Sequence, residues 1–197
     1  AGIFILSNKI IEIIYQSGTF TEYSKQLTVE LLNILLPGLV FYWSITIFTG
    51  LFYAKKKFKI VVVVGLLAIG FNLLMDFILV RYFSVKGIAF STLLMEIFFF
   101  FLYAILTKRM LKTFNLKEVF LSIGKILIAS ILMMFFLYNI INLAGFYEES
   151  NNFVSEIIKL SLVILIGIVI YSLLSIILRL KEFNLFIEQI RFFMIKK

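Results

Sequence analysis

Two acidic residues lie inside strongly apolar stretches of this 197-residue sequence. Asp76 lies near the end of the apolar run Phe58–Val80, and Glu96 lies near the middle of Lys86–Thr107. A charge in hydrocarbon costs at least ~2.5 kcal/mol, so acids in such runs usually face a bundle interior or water. The chemistry that suits them is the binding of a cation or a proton that is coupled to transport. The alternative is a buried carboxyl that only hydrogen-bonds a neighbouring helix.

Asn72 extends this set of polar residues. It precedes Asp76 by four positions, so the two side chains share one face of a helix. We therefore take Asn72, Asp76 and Glu96 as candidate residues of a substrate or ion pathway. For Asp76 the sequence favours a structural role, an ion pair with Arg81 or Lys86, over a functional one.

The sequence gives little support for a catalytic, metal-binding or phosphate-binding site. There is no Cys and no His, which removes thiolate metal sites and the commonest general base. The acids are not paired at catalytic spacing, and there is no glycine-rich phosphate loop. We therefore expect no enzyme activity, no resident metal and no cofactor, with a coupling ion of unknown identity left open.

The elements that must position these residues are membrane helices. The chain is 62% hydrophobic and 15% charged, with a mean hydropathy of +1.10; soluble domains are about half apolar and about a quarter charged. A helix needs about 20 mainly apolar residues to cross a bilayer, and continuous runs exclude alternating barrel strands. An all-α, multi-pass helix bundle is predicted. The five predicted spans are Thr28–Ala54, Phe58–Val80, Lys86–Thr107, Val119–Ala144 and Val154–Leu178.

The remaining segments complete the predicted organisation. The apolar head Ala1–Tyr15 is typical of the end of a further helix, and the chain is expected to be a piece of a longer polypeptide. Gln16–Gln26 is predicted as a loop, and Lys181–Lys197 as an amphipathic helix on the membrane surface. The predicted division is 1–109 for the head, outer loop and three spans, 110–180 for two further spans, and 181–197 for the tail.

Basic residues indicate the orientation. The net charge is +8, and one cluster consists of Lys55, Lys56, Lys57 and Lys59. Lysine and arginine are concentrated in this turn, in residues 108–117 and in the tail. The charged residues within 145–155, in contrast, are all acidic. By the positive-inside rule the lysine cluster and the C-terminus are cytoplasmic. Predicted membrane-spanning helices flank the lysines on both sides, which argues against nucleic acid as a partner. The lysines can instead bind anionic lipid, with a favourable free energy of about 1 kcal/mol each.

Pro37 and Gly38 interrupt the first predicted span. Proline removes a backbone hydrogen bond and kinks a helix. This pair is therefore a hinge candidate in a protein that changes conformation, although proline also occurs in membrane helices without such a role.

Three ordered segments carry a family pattern. They read SGTFTEYSKQLTVELLNILLPGL, LFYAKKKFKIVV and FNLLMDFILVRYFSVKGIAFST, and they extend over about residues 17–109. The matching residues are Gly18, Phe20, Thr21, Phe52, Tyr53, Ala54, Asn72, Gly87, Ala89 and Thr92. The departures are Ser17 for Arg, Val61 for Pro and Asp76 for Asn. The set resembles the MurJ (MviN-type) lipid II flippases of the multidrug/oligosaccharidyl-lipid/polysaccharide exporter superfamily.

The resemblance implies a fold and a function. The chain would be the last five of the family's fourteen helices with the end of the ninth, in the bacterial cytoplasmic membrane. It would help to move lipid-linked peptidoglycan precursor by alternating access, together with membrane lipids, the lipid-linked glycan and an amino-terminal lobe. That lobe and the eighth helix would hold the head-group site, and the last two helices would border a groove for the lipid tail. The alternative is a flippase for another polyprenyl-linked oligosaccharide, or a cation-coupled drug exporter of this fold.

Overall fold

The computed structural model describes residues 1–15, 21–111, 116–143 and 153–178. These residues form seven helices and no strand: α1 (Gly2–Tyr15), α2 (Glu22–Leu35), α3 (Gly38–Ala54), α4 (Phe58–Phe83), α5 (Val85–Met110), α6 (Leu116–Leu143) and α7 (Phe153–Ile177). The all-α prediction is confirmed. The helices divide into two compact units, one of Ala1–Gly18 with Lys117–Lys197 and one of Thr19–Leu116.

The long apolar helices are those of a multi-pass membrane protein. In the described ranges, four helices, α4 to α7, are long and apolar enough to span a bilayer, and α2 with α3 makes a fifth if the bent pair counts as one span. Along α4 many apolar side chains point outward, including Leu66, Leu73 and Phe77. A helix that exposes such residues along its length is suited to lipid rather than water. The predicted number of spans is therefore reached only through the bent pair.

Helix α2 begins earlier than the sequence suggested. The stretch Gln16–Gln26 was expected to be a loop, but Glu22 is already helical. The hydroxyl of Thr21 accepts a hydrogen bond from the Ser24 amide at 3.2 Å and so caps the helix. An acid in the first turn is favourable at this positive end. The loop prediction is therefore wrong for residues 22–26.

The predicted span Thr28–Ala54 is two helices rather than one. Helix α2 ends at Leu35, α3 begins at Gly38, and their axes differ by 44°. Pro37 has no amide hydrogen, so it cannot donate to the carbonyl of Asn33 four residues earlier. The kink expected at this proline is present, as a break in the helix.

A tight turn joins α3 to α4. The amide of Lys56 donates to the Tyr53 carbonyl, and the amide of Lys57 donates to the Phe52 carbonyl, each at 2.9 Å. Lys56 has φ 55°, the left-handed conformation that ends many helices in this hydrogen-bond pattern. Lys55, Lys56 and Lys57 thus form the turn that closes α3, and Lys59 lies in the first turn of α4.

Helices α4 and α5 are joined by a single residue. The sequence placed a loop after Val80, but α4 continues to Phe83 and only Ser84 separates it from α5. Ser84 has φ 51°. A Cβ on Gly87 would overlap the backbone of Leu79, so only glycine permits this close crossing.

Helix α5 is the centre of its unit. It packs against α2, α3 and α4. Its buried residues are Gly87, Ala89, Ser91, Glu96, Phe99, Phe100, Tyr103, Ala104 and Thr107. Aromatic rings of α3 meet this face: Phe41 and Phe48 lie 5.4 and 6.0 Å from the ring of Phe100. The buried face of α5 is therefore held against three other helices.

The other unit is built from α1, α6 and α7. Its core consists of Leu6, Met133, Leu137, Ile141 and Val163. The predicted division put residues 1–15 with the first three spans, whereas in the structure α1 packs against α7. The predicted surface helix 181–197 lies outside the described residues.

Candidate functional site

Asp76 lies at the interface of α4 and α5, in contact with a serine. The hydroxyl of Ser91 donates a hydrogen bond to Asp76 Oδ1, and Ser91 is completely buried. The same hydroxyl lies 2.8 Å from the carbonyl oxygen of Ile88, which also accepts from the Thr92 hydroxyl at 3.0 Å. This interface therefore gathers carboxylate, hydroxyl and carbonyl oxygens between two spanning helices. Asn72 lies one turn before Asp76, and both side chains are half-buried.

The ion pair expected for Asp76 is not formed in the structure. Lys86 lies 2.6 Å from the carboxylate of Glu30 instead, and the guanidinium of Arg81 lies over the ring of Phe77 at 4.2 Å. Both cations have nearer partners, because α2 brings Glu30 to the start of α5 and Phe77 lies one turn before Arg81. Asp76 is therefore held by a neutral hydroxyl, and the expectation of a charged partner is wrong.

Glu96 lies against the break between α2 and α3. It is 9% exposed, and an added Cβ on Gly38 would collide with its carboxylate oxygen Oε2 and approach the side chain of Leu93 at 3.4 Å. Within the described ranges Glu96 makes no hydrogen bond or ion pair. The structure thus brings together a hinge candidate and an ion-pathway candidate that are far apart in the sequence. A separate polar group, the side-chain oxygen of Asn33, is buried without a described partner.

The basic cluster lies where α3 is joined to α4, with three lysines in the turn and the fourth in the first turn of α4. The side chains of Lys55, Lys56, Lys57 and Lys59 are all exposed. Their ammonium groups can therefore reach phosphate or carboxylate groups at a membrane surface.

A buried ion pair in the other unit was not predicted. The ammonium of Lys9 on α1 lies 3.0 Å from Glu156 on α7 and 3.2 Å from Glu12. Lys9 is 8% exposed and Glu156 is 5% exposed. The signal available in the sequence was a lysine inside an apolar helix, which requires a buried partner. Its partner is 147 positions away, so spacing did not identify it.

The same unit contains an apolar groove. Its volume is about 490 Å³, and it is bounded by α1, α6 and α7. Gly167 borders it and lets α7 approach closely, since a Cβ there would lie 3.2 Å from Leu137. Small residues are buried where α6 and α7 line this unit, namely Ala129, Gly167 and Ser175. Gly124, in contrast, faces open space.

The described part of the chain contains no cluster of metal-binding side chains. Those ranges hold no group of three or more His, Cys, Asp or Glu residues that could bind a metal ion. The oxygens around Asp76 contain a single carboxylate.

Comparison with known proteins agrees with the resemblance carried by the sequence. The family described as "Lipid II flippase MurJ" matches residues 1–146. A probable lipid II flippase MurJ of Buchnera aphidicola subsp. Schizaphis graminum (strain Sg) is 28% identical over 170 residues, which is 86% of this chain and 33% of the relative. The protein of the same description from B. aphidicola subsp. Acyrthosiphon pisum (strain APS) is 27% identical over 159 residues, 80% of this chain and 31% of the relative. The chain thus spans about a third of each relative's length.

A solved structure has the same fold. The lipid II flippase MurJ in an inward closed conformation overlays with a TM-score of 0.68 and 27% identity, covering 90% of this chain and 35% of that one. These matches favour the lipid II family over the alternatives that the sequence left open.

Proposed function

The chain belongs to the lipid II flippase MurJ family, and we propose that it forms the carboxy-terminal part of a flippase for lipid-linked peptidoglycan precursor. The observation that carries the proposal is the match of the family over residues 1–146. The chain covers 35% of the solved flippase. Its proposed partner is therefore the rest of such a polypeptide. The location is the bacterial cytoplasmic membrane, with membrane lipids around the helices.

Alternating access is the proposed mechanism. Two lobes rock about a central cavity, so that the head group crosses while the lipid tail stays in the bilayer. Discontinuous helices are common in such transporters, and the break between α2 and α3, with its 44° bend, supports this mechanism. The head-group site is assigned to the part of the flippase outside this chain.

The orientation follows from the basic residues. We place the exposed lysines of the α3–α4 connection, which are Lys55, Lys56, Lys57 and Lys59, on the cytoplasmic side. The C-terminus lies on that side too.

Asn72 and Asp76 are the proposed ion-pathway residues of this chain. Asp76 offers a carboxylate beside the hydroxyl of Ser91, with the Ile88 carbonyl adjoining that hydroxyl. Such oxygens suit a hard monovalent cation or a proton. Entry of a positive charge here would offset the cost of a carboxylate between membrane helices.

The apolar groove of the other unit is the proposed seat for part of the lipid tail. It lies between α1, α6 and α7, and its walls include Leu137, Val163 and Ile168. These side chains match the chemistry of a polyprenyl chain, which has no polar atoms to satisfy.

The function can be tested in cells depleted of their own flippase. The full polypeptide that contains this chain is expected to restore growth and the appearance of lipid II in the outer leaflet. A matched control is the Gly87→Leu variant, which blocks the close crossing of α4 and α5 and is expected not to restore either. Failure of a wild-type protein that is inserted and monodisperse would contradict the proposed function.

A further inference from the structure

Glu96 faces the amino end of α3 from a neighbouring helix. It is 9% exposed and makes no hydrogen bond or ion pair within the described ranges. Its Oε2 occupies the space that a Cβ on Gly38, the first residue of α3, would fill. A carboxylate this deeply buried needs a positive potential nearby to remain ionised.

The start of α3 supplies such a potential. The first amides of a helix have no intrahelical acceptor, and the helix dipole places about half a positive charge there. The cap residue of α3 is Pro37, whose side chain forms no capping hydrogen bond. The amide of Leu39 is weakly engaged, with the Leu36 carbonyl at 3.3 Å. Glu96 is therefore the acidic group placed beside a helix end that lacks a side-chain cap.

The charged groups of the neighbouring helices are engaged elsewhere. Helix α3 has no charged residue. The others, with what they contact or where they lie, are Glu22 with Lys25, Glu30 with Lys86, Asp76 with Ser91, Arg81 with Phe77, and Lys59, which is exposed in the first turn of α4. The positive end of α3 is thus the favourable partner that the described helices offer to Glu96.

We propose that Glu96 is a positioning residue that holds the bend of the discontinuous span. The ionised carboxylate caps the amino end of α3 across the helix interface and keeps α3 inclined to α2. A proton taken up on the carboxylate removes the charge, weakens the capping attraction and lets the bend relax. Gly38 permits this position of the carboxylate, because a Cβ there would overlap Oε2 and displace it. The inference rests on the proposed function only in that a bending span would move one lobe during transport.

A distance measurement across the break tests this inference. Cysteines at Tyr23 and Ile47, which are exposed on α2 and α3, would carry spin labels in the full polypeptide in lipid nanodiscs. At 1.5 Å per residue, the two arms of roughly 20 and 16 Å span about 3 Å less when bent by 44° than when straight. Glu96→Gln keeps the side-chain size and is expected to lengthen and broaden the distance distribution by up to about that amount.

The pH dependence of this distance separates the effect of the Glu96 charge from the effect of the side chain's shape. In the wild type the distance is expected to lengthen as the pH falls through the titration of Glu96, whereas in Glu96→Gln it is expected to be independent of pH. Asp76→Asn is the matched control, an acid-to-amide change at the other intramembrane acid, and should retain the wild-type response. A wild-type distance and pH response in Glu96→Gln would overturn the inference.

The distance measurement does not depend on transport activity. A wild-type protein that fails to translocate lipid II overturns the proposed function, while the distance data still decide whether Glu96 holds the bend. If Glu96→Gln does not fold, the wild-type pH response decides alone: a lengthening at low pH that Asp76→Asn retains supports the inference, and a distance independent of pH overturns it.

Discussion

The carboxylate of Glu96 on α5 lies so close to Gly38, the first residue of α3, that a Cβ at position 38 would overlap it. Two residues separated by 58 positions are thereby fitted to each other at the break of a spanning helix. The fit explains why a glycine directly follows Pro37. Proline ends one helix, and glycine lets the acid of another helix approach the start of the next.

Gly38→Ala is expected to lower the free energy of unfolding by about 1 kcal/mol, because the added methyl overlaps the Glu96 carboxylate and displaces the flexible end of that side chain. The measurement is the thermal or denaturant unfolding of the full polypeptide in detergent. Gly50→Ala is the control in the same helix, since a Cβ there meets open space. It should be neutral or slightly stabilising.

A double variant isolates the contact. In Gly38→Ala/Glu96→Ala the overlapping carboxylate is gone, so the loss should be smaller than the sum of the two single losses. Strict additivity would show that the two residues do not interact.

Ser91→Ala is expected to lower stability by about 1–3 kcal/mol, because it leaves the Asp76 carboxylate without its hydrogen-bond donor between two helices. Thr92→Val is the matched control. Its hydroxyl bonds the same Ile88 carbonyl but does not contact Asp76, so a loss under about 1 kcal/mol is expected. Equal losses in the two variants would argue against a special role for Ser91.

Gly87→Ala should be more damaging than a comparable change in α4. A Cβ at position 87 would overlap the backbone of Leu79, which has no flexible end to move aside. Gly70→Ala, where a Cβ meets open space, is the control and should not destabilise the protein. Unfolding midpoints of the two variants check this, and a Gly87→Ala protein as stable as the wild type would contradict the close crossing of α4 and α5.

Lys9→Met is expected to cost about 3–5 kcal/mol, because it leaves Glu156 charged and buried without its partner. The double variant Lys9→Met/Glu156→Gln should recover much of the loss, since the uncompensated charge is removed. Lys86→Met is the control: its pair with Glu30 is exposed on both sides and should cost less than about 1 kcal/mol. Denaturant unfolding of the three variants measures the difference.

Hydropathy predicted the helices well and their ends poorly. The spans, the head helix and the kink at Pro37 follow from local composition. The start of α2 at Glu22 depends on the capping hydroxyl of Thr21, a local signal that the polar composition concealed. The one-residue connection at Ser84 depends on how α4 and α5 cross, which is a property of packing.

The sequence predicted which residues form the candidate sites, but not which residues they contact. The sequence identified Asp76 and Glu96, because charges in apolar runs stand out. Ser91 carries no charge and is common in membrane helices, so nothing in the sequence distinguished it. Gly38 was identified as a hinge candidate beside Pro37, but not as the residue that Glu96 contacts. The pair of Lys9 with Glu156 joins distant parts of the chain, and only the fold brings them together.

The most direct test of the central claim is lipid II transfer by the purified full polypeptide in proteoliposomes. Fluorescent lipid II placed in one leaflet is followed by its accessibility in the other, beside a polyprenyl-linked O-antigen unit as the competing substrate. The account predicts transfer of lipid II above protein-free vesicles and little transfer of the O-antigen lipid. Transfer of the O-antigen lipid alone, or of neither substrate by a folded protein, would contradict it.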